Sequence, residues 1–275
     1  MRRSILIATD LSMRSERALR RAYRLAAEQG AKLTVLTVVD EDLPPGMAAR
    51  SRELAEEELR MLCDAIAPDQ PAELRVEIAD PMPHILTTMK DVQADLLVLG
   101  VHRPRAVWDL FYGTTMERIV RASRVPALLV RNAPVAPYAR VLSGVDMSPA
   151  SAAALHLAAE LAPEATMHAF HAVHVPYRGL VARSGTPEML HPFLEEARDA
   201  LDSWWEETDL PQAVARPEPQ PHGRYEMLSR LMHSEKPDLL AIGAHGRGPL
   251  SPTLLGGFTE QILRDPPTDV LVVRH

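Results

Sequence analysis

Short apolar runs alternate with amphipathic stretches along the first half of the chain. The runs predict buried β-strands at residues 4–9, 33–39, 74–78, 96–99 and 127–131. Between them, apolar residues at helical spacing predict a helix bounded by Ser12 and Gly30, and further helices at residues 48–67, 83–90 and 115–122. This alternation is typical of an α/β fold whose parallel sheet is covered by helices on both faces.

The second half repeats this order, so the chain is an internal duplication. Residues 95–132 align without a gap on residues 238–275. The identical pairs include Asp95/Asp238, Gly100/Gly243, His102/His245, Gly113/Gly256, Glu117/Glu260, Arg121/Arg264 and Arg131/Arg274. Strands are predicted at residues 141–145, 167–175, 239–242 and 270–274, with a poor one at 213–217, and helices at 188–205 and 225–233. We therefore expect two domains, residues 1–132 and 139–275, joined by a linker over residues 132–139.

Composition narrows the class of protein. Of the 275 residues, 46% are hydrophobic and 24% are charged, as in a soluble globular protein. The net charge of −7 and the lack of a basic cluster argue against a nucleic acid as the partner. The first ten residues do not resemble a signal peptide, and no apolar run reaches membrane-spanning length. The single cysteine, Cys63, is interpreted as a buried residue on a helix, and a cytoplasmic location without membrane contact is expected.

Polar and glycine residues follow the predicted strands where ligands bind in such folds. Asp10 and Asp146 follow the first strand of each half, and Gly100 and Gly243 end the fourth. In a doubly wound sheet these ends are neighbours at the point where strand order reverses, and ligands bind there. A carboxylate can accept from base or ribose donors while bare backbone N–H groups bind phosphates. The alternative is that the aspartates only cap the following helices and the glycines only form turns.

These residues resemble the universal stress protein family in its tandem, two-domain form. The family's signature is a strand-ending aspartate and a glycine, two residues, a second glycine, nine residues, a third glycine, and then serine or threonine. The spacing occurs twice here, and the resemblance covers nearly the whole chain. It implies two Rossmann-like domains of the adenine nucleotide alpha hydrolase-like type that bind ATP or AMP. Whether magnesium accompanies the nucleotide does not follow from the residues.

The resemblance transfers the nucleotide site to each half residue by residue. In the first half it implies Thr9, Asp10, Val38, Gly100, His102, Arg103, Gly113 and Thr114, with Val38 beside the adenine. In the second half it implies Asp146, Val175, Gly243, His245, Gly246, Gly256 and Gly257, with Val175 beside the adenine.

Each half departs from the signature at one position. Arg103 replaces the middle glycine of the first half, where it either blocks the backbone's approach to phosphate or donates to it. Gly257 replaces the hydroxyl residue of the second half. Because Thr9, Asp10 and Thr114 are all present, the first half is the preferred site.

Three functions stay open at this point. The first is a nucleotide-binding regulator or sensor of stress, and the second is a scaffold that binds protein partners through degenerate sites. The third is a slow ATP hydrolase, although the sequence offers no nucleophile–base pair. Because His168, His171 and His174 alternate faces on a strand, no metal site is expected. The family dimerises through its last strand, so residues 127–131 and 270–274 are expected to pair within the chain, which leaves further homodimerisation open.

Overall fold

The computed structural model describes residues 3–101, 115–173, 190–244 and 255–274. The described strands are β1 Ser4–Ala8, β2 Lys32–Asp40, β3 Glu73–Ala79, β4 Leu96–Gly100, β5 Ala127–Val130, β6 Arg140–Gly144, β7 Thr166–Phe170, β8 Leu239–Ala244 and β9 Asp269–Arg274. The described helices are α1 Met13–Gln29, α2 Pro45–Ile66, α3 Pro81–Asp91, α4 Thr115–Ala122, α5 Pro149–Leu161, α6 His191–Glu207, α7 Arg224–Ser234 and α8 Gly257–Arg264.

The nine described strands form one continuous sheet. Their order is β3-β2-β1-β4-β5-β9-β8-β6-β7, and the strands within each half are parallel. In each half the first strand lies between the second and the fourth, so strand order reverses there. The predicted fold class, two Rossmann-like parallel-sheet domains in tandem, is confirmed.

The inner part of the sheet is buried on both faces because its central strands are largely apolar. Ile5 and Ile7 pack into one core cluster, whereas Leu6 between them packs into the cluster on the opposite face. Central strands of this kind need continuous apolar runs, which is why the runs predicted them well. Helix α1 begins where Ser12 Oγ accepts a hydrogen bond from Ser15 N at 3.3 Å, and it ends at Gly30 with φ 59°.

The strand predicted at residues 213–217 is wrong. Among the described residues this segment makes only isolated bridges to the β7 region, at Met167–Val214 and Ala172–Gln220. Pro217, Pro219 and Pro221 have no N–H to donate, so a regular ladder cannot form. The preceding strand β7 correspondingly ends at Phe170, earlier than the predicted residue 175.

The two halves join through an antiparallel pair between β5 and β9, as the sequence predicted. Leu128 lies opposite Leu271, which is its own counterpart in the repeat. Ala127 and Leu129 lie opposite Val272 and Val270, the counterparts of Leu129 and Ala127. A pseudo-two-fold axis therefore passes through the Leu128–Leu271 pair, and each half uses the same strand to bind the other.

Two ion pairs follow the same axis. Arg121 Nη2 lies 2.9 Å from Glu260 Oε1, and Arg264 Nε lies 3.2 Å from Glu117 Oε1. Since Arg121 corresponds to Arg264 and Glu117 to Glu260, the two contacts are reciprocal. The identity of these residues between the halves is explained by their pairing with one another across the interface.

No helix within the described ranges is both long enough and apolar enough to cross a lipid bilayer.

Candidate functional site

The predicted aspartates and glycines meet at the carboxyl edge of the sheet. Ala8 of β1 pairs with Leu99 of β4, so Asp10 and Gly100 follow adjacent strand ends. In the second half Gly144 of β6 pairs with Ile242 of β8, which places Asp146 and Gly243 in the same relation. Both pairs lie where strand order reverses, the place at which doubly wound sheets bind ligands.

Each aspartate starts a strained turn between strand and helix. Leu11 and Met147, the residues that follow the aspartates, have φ values of 60° and 62°. Only a few per cent of residues other than glycine adopt this left-handed conformation, which often marks functional sites. Ser12 N donates to Asp10 Oδ1 at 3.1 Å, and Ser148 N donates to Asp146 Oδ1 at the same distance.

The aspartates are therefore not the helix caps. Ser12 and Ser148 are the N-cap residues of α1 and α5, and each accepts a hydrogen bond from the serine three residues later. Asp10 and Asp146 close the turn before the cap and are exposed at the sheet edge. The alternative, in which these carboxylates only cap the helices, is therefore wrong.

Hydroxyl groups brace the turn in the first half. Thr9 Oγ1 donates to Ser15 Oγ at 2.9 Å and accepts from Leu11 N at 3.1 Å. Thr9 is buried, and the repeat places Val145 at the corresponding position of the second half. The Thr9 hydroxyl thus supports the strained residue Leu11.

Gly100 and Gly243 are required by packing. A Cβ atom on Gly100 would lie 2.9 Å from Ser15 Cα, and one on Gly243 would lie 2.4 Å from Ser151 N. Any side chain would therefore collide with the first turn of α1 or α5. These glycines let the strand end contact the helix that carries the aspartate turn.

Ser15 and Ser151 were missed by the sequence predictions. The signal was available, because Ser12 and Ser15 recur as Ser148 and Ser151 at the same distance after the aspartates. Both are buried and make matching hydrogen bonds to the N-cap serine.

The last glycines of the second half lie at the start of α8. Gly256 is the N-cap residue with φ 76°, a conformation that favours glycine, and it has no side chain to cap the helix. Gly257 is exposed, and a Cβ atom there would meet no described residue within 4 Å. Because β8 and β9 are parallel, α8 runs back between them with its N-terminus towards the carboxyl edge. Free N–H groups and the helix dipole at such an end favour an anion.

Tyr225 is a second residue that sequence analysis missed. Its hydroxyl donates to Gly257 O at 3.0 Å, and its ring lies 5.1 Å from that of Phe258. Helix α7 thereby contacts the first turn of α8. The corresponding residue in the first half is Met82, so comparison of the halves does not reveal this contact.

Several predicted site residues lie outside the described ranges. They are His102, Arg103, Gly113 and Thr114 in the first half and Val175, His245 and Gly246 in the second. Val38 is described and is half-buried in β2. The strand registers pair Leu36 with Ala8 and Phe170 with Gly144, which makes Ala172 the positional counterpart of Val38.

Two other groups do not add to this site. Cys63 is buried in α2, as the sequence predicted, and burial raises the pKa of its thiol, which disfavours the reactive thiolate. His168 Nε2 lies 3.8 Å from Glu235 Oε2, whereas the buried His171 Nδ1 lies 2.8 Å from Val145 O. The two histidines therefore have separate partners.

Comparison with known proteins gives one consistent result. A family model described as the universal stress protein family matches residues 1–131 and again residues 137–274. A universal stress protein of Mycolicibacterium smegmatis is 25% identical over 303 aligned positions, which cover 98% of this chain and 96% of that protein.

Two further relatives extend the comparison. A putative universal stress protein of Staphylococcus saprophyticus is 32% identical over 141 positions, covering 47% of this chain and 83% of its own length. The crystal structure of a universal stress protein from Archaeoglobus fulgidus has a TM-score of 0.70 at 17% identity and covers 98% of both chains. At that identity the likeness concerns the fold.

Proposed function

Because this chain belongs to the universal stress protein family, we propose that it binds an adenine nucleotide and acts as a regulator or sensor of the stress response. The observation that carries the proposal is the strained Asp–X–Ser turn, which occurs twice, each time beside a glycine at the strand-order reversal. A left-handed residue costs about 1–3 kcal/mol and persists where the surrounding structure holds it. Here the turn holds an exposed carboxylate in place at the edge of the sheet where doubly wound folds bind ligands.

The described residues of the second half suit a phosphate group. Within the described ranges no side chain caps α8 at Gly256, so its N-terminal N–H groups can bind a ligand or solvent, and the space that these residues leave at Gly257 lets a phosphate approach the backbone. The helix dipole adds a partial positive charge there. These donors are sequence-independent backbone groups, so the lack of a hydroxyl at residue 257 does not remove them.

We prefer the first half as the nucleotide site, because Thr9, Asp10 and Thr114 of the family signature are all present there. Under this proposal, the Asp10 carboxylate accepts hydrogen bonds from base or ribose donors, and β2 near Val38 faces the adenine. The hydroxyl of Thr114 and the guanidinium of Arg103 donate to the phosphates. Thr9 holds the turn that positions Asp10, and does so through its bonds to Ser15 and Leu11.

Calorimetric titration with ATP and with AMP tests the proposal and assigns the half. Asp10→Ala and Asp146→Ala form a matched pair, because both remove a turn-closing carboxylate. A hydrogen bond to a charged group contributes about 1.5–3 kcal/mol, so loss of the bond in the binding half weakens the affinity by about tenfold or more. Thr114→Ala should act in the same direction as Asp10→Ala.

Gly257→Ser is the complementary test, because it should increase the affinity where the other variants reduce it. The added side chain has room and restores the hydroxyl of the family signature, so it should tighten phosphate binding if the second half binds. Gly223→Ser is its control, since Gly223 is the N-cap residue of α7 and also has open space at Cβ. Circular dichroism and thermal unfolding identify variants that lose binding through misfolding.

The results of these titrations distinguish between the nucleotide-binding regulator, the scaffold and the hydrolase. Loss of binding in Asp10→Ala but not in Asp146→Ala supports the first half, and the reverse overturns that assignment. No binding of ATP or AMP by the unmodified protein, and no nucleotide released from it on denaturation, would overturn nucleotide binding and favour the scaffold. Phosphate release measured on the bound protein tests the hydrolase alternative.

A further inference from the structure

The two outer edges of the sheet differ, although the halves are repeats. At one end lies β3, a regular seven-residue strand that pairs with β2 on its inner side. At the other end the β7 region is flanked by the segment around Gln220. The difference determines which edge can accept another strand.

Prolines close the edge of the second half. Gln220 N donates to His171 O at 3.1 Å, and Gln220 O accepts from Val173 N at 2.8 Å, so the polar backbone groups of Gln220 point inward. Backbone groups alternate in direction along an extended chain, which places the outward N–H positions at Pro219 and Pro221. Proline has no N–H, and an added strand would find no donors there.

The β3 edge contains no proline and carries partly exposed apolar side chains. Leu74 and Ile78 are 37% and 38% exposed, although they lie on the same face as the buried Val76. Arg75 and Glu77 lie on the opposite face and bear opposite charges. A long, regular edge with exposed apolar residues tends to pair with another strand.

The sequence of β3 is self-complementary in the antiparallel direction. If two copies pair about a two-fold axis at Val76, Leu74 lies opposite Ile78 of the second copy, and Arg75 lies opposite Glu77 of that copy. Apolar residues then meet apolar residues, and opposite charges meet twice. Cross-strand pairs of both kinds stabilise sheets. The join of β5 to β9 within the chain already uses an antiparallel pair about a two-fold axis.

The surroundings of β3 also favour a copy of this chain over a strongly charged partner. An open groove of about 210 Å³ lies between α2 and β3. Charged residues of both signs on α2, Arg52, Glu56 and Arg60, line it together with apolar residues of β3. A surface with both signs of charge matches its own two-fold copy.

We propose that two copies of this chain associate through antiparallel pairing of their β3 edges, centred on Val76, to form one continuous sheet. The assembly stops at a dimer, because among the described residues β3 is the open outer edge of each chain and the other outer edge is closed by prolines. This interface is separate from the nucleotide site, and its formation does not depend on the proposed function.

Sedimentation equilibrium of the unmodified 275-residue protein and of charge variants tests the proposal. Glu77→Arg places arginine opposite Arg75 of the second copy at two positions per dimer. We expect the dissociation constant to rise about tenfold or more, because each pair changes from attraction to repulsion. The double variant Arg75→Glu/Glu77→Arg restores opposite charges and should return the constant to within about threefold of the original value.

Glu218→Arg is the matched control. It makes the same charge change near the opposite outer edge, among the prolines, and should leave the dissociation constant unchanged. Hydrogen exchange should show stronger protection of the β3 amides in the unmodified protein than in Glu77→Arg. Circular dichroism checks that all variants are folded.

Three results would overturn the proposal. One is an unmodified protein that stays monomeric at about 100 μM, well above the dissociation constants of stable complexes. Another is a dimer that Glu77→Arg does not weaken. The third is a double variant that stays as weak as Glu77→Arg, which would exclude the register centred on Val76.

Discussion

The Arg21 guanidinium of the first half lies beside the Asp269 carboxylate of the second, with 3.6 Å between Nε and Oδ2, and both side chains are buried. The Tyr138 hydroxyl donates to the same Asp269 oxygen at 2.8 Å, and its ring lies 3.9 Å from the Arg21 guanidinium carbon. Arg131 N and Asn132 N donate to the other carboxylate oxygen at 2.8 and 2.9 Å. The linker, residues 132–139, is thereby fixed to Arg21 of the first half and to Asp269 of the second half.

Removal of the Asp269 carboxylate should destabilise the protein strongly. Asp269→Ala leaves a buried arginine without its charged partner and two backbone N–H groups without an acceptor, at a cost of about 3 kcal/mol or more. Urea unfolding followed by circular dichroism measures the change. Asp265→Ala is the matched control, because this carboxylate is 92% exposed and should change the free energy by no more than about 0.5 kcal/mol. Equal effects of the two substitutions would contradict a special role for the buried group.

The Asp269 carboxyl should also give the stability a distinct pH dependence. Burial raises its pKa above the ordinary value of 3.8, although hydrogen bonds from Asn132 and Tyr138 act in the opposite direction. The folded protein then binds this proton more tightly than the unfolded chain does. The resulting stabilisation is complete below the unfolded pKa and is lost as the pH rises through the folded pKa.

Asp269→Asn removes that titration and serves as the reference. The free energy of unfolding of the unmodified protein, minus that of Asp269→Asn, should fall as the pH rises from 3.8 through the folded pKa. Urea titrations of both proteins across this range measure the difference. A difference that rises with pH would mean that the folded state lowers the pKa instead.

Because β5 and β9 form an antiparallel pair, a proline in β5 should strongly reduce the stability of the protein. Leu129→Pro places a residue without an N–H opposite Val270, in a central strand, and should cost about 3 kcal/mol or more. The loss should appear as a lower urea midpoint and as faster proteolysis between the halves. Glu41→Pro is the control, because Glu41 is the second residue of the turn closed by Leu43 N and Asp40 O, where proline is favoured.

The close approach at Gly243 predicts that even one methyl group is destabilising. A Cβ atom there would lie 2.4 Å from Ser151 N and 2.6 Å from Ala150 C, and backbone atoms cannot yield as a side chain can. Gly243→Ala should cost about 1–3 kcal/mol. Gly46→Ala, in α2 where a Cβ atom meets nothing within 4 Å, should instead stabilise by up to about 1 kcal/mol. Thermal unfolding of both variants compares them, and a neutral Gly243→Ala would show that the first turn of α5 can shift.

The order of strands and helices was predictable because it depends on local pattern. A strand buried on both faces must be apolar throughout, and a helix packed on it must present an apolar face at regular spacing. The repeat was visible because identity between aligned residues of the two halves can be read directly from the sequence, without knowledge of their contacts. The wrong strand, at residues 213–217, ends in Pro217 and is followed by Pro219 and Pro221, which lack the N–H groups of a regular ladder.

Contacts between residues far apart in the chain were not predictable from those patterns. The match of Glu117 with Glu260 and of Arg121 with Arg264 is visible in the sequence, but only the two-fold arrangement makes each glutamate the partner of the other half's arginine. Similarly, the sequence predicts a phosphate-binding role for Gly100, but it does not show that a Cβ atom there would lie 2.9 Å from Ser15 Cα, a contact that by itself requires a glycine.

The cluster of Arg21, Tyr138 and Asp269 had no signal in the sequence at all. The repeat places Leu157 and Pro126 where Arg21 and Asp269 would recur, so comparison of the halves conceals the cluster. Each of the three residues, taken alone, resembles a solvent-exposed polar residue. Their burial is energetically acceptable only because folding brings the charges and hydrogen-bond partners together, and that compensation exists in three dimensions and not along the chain.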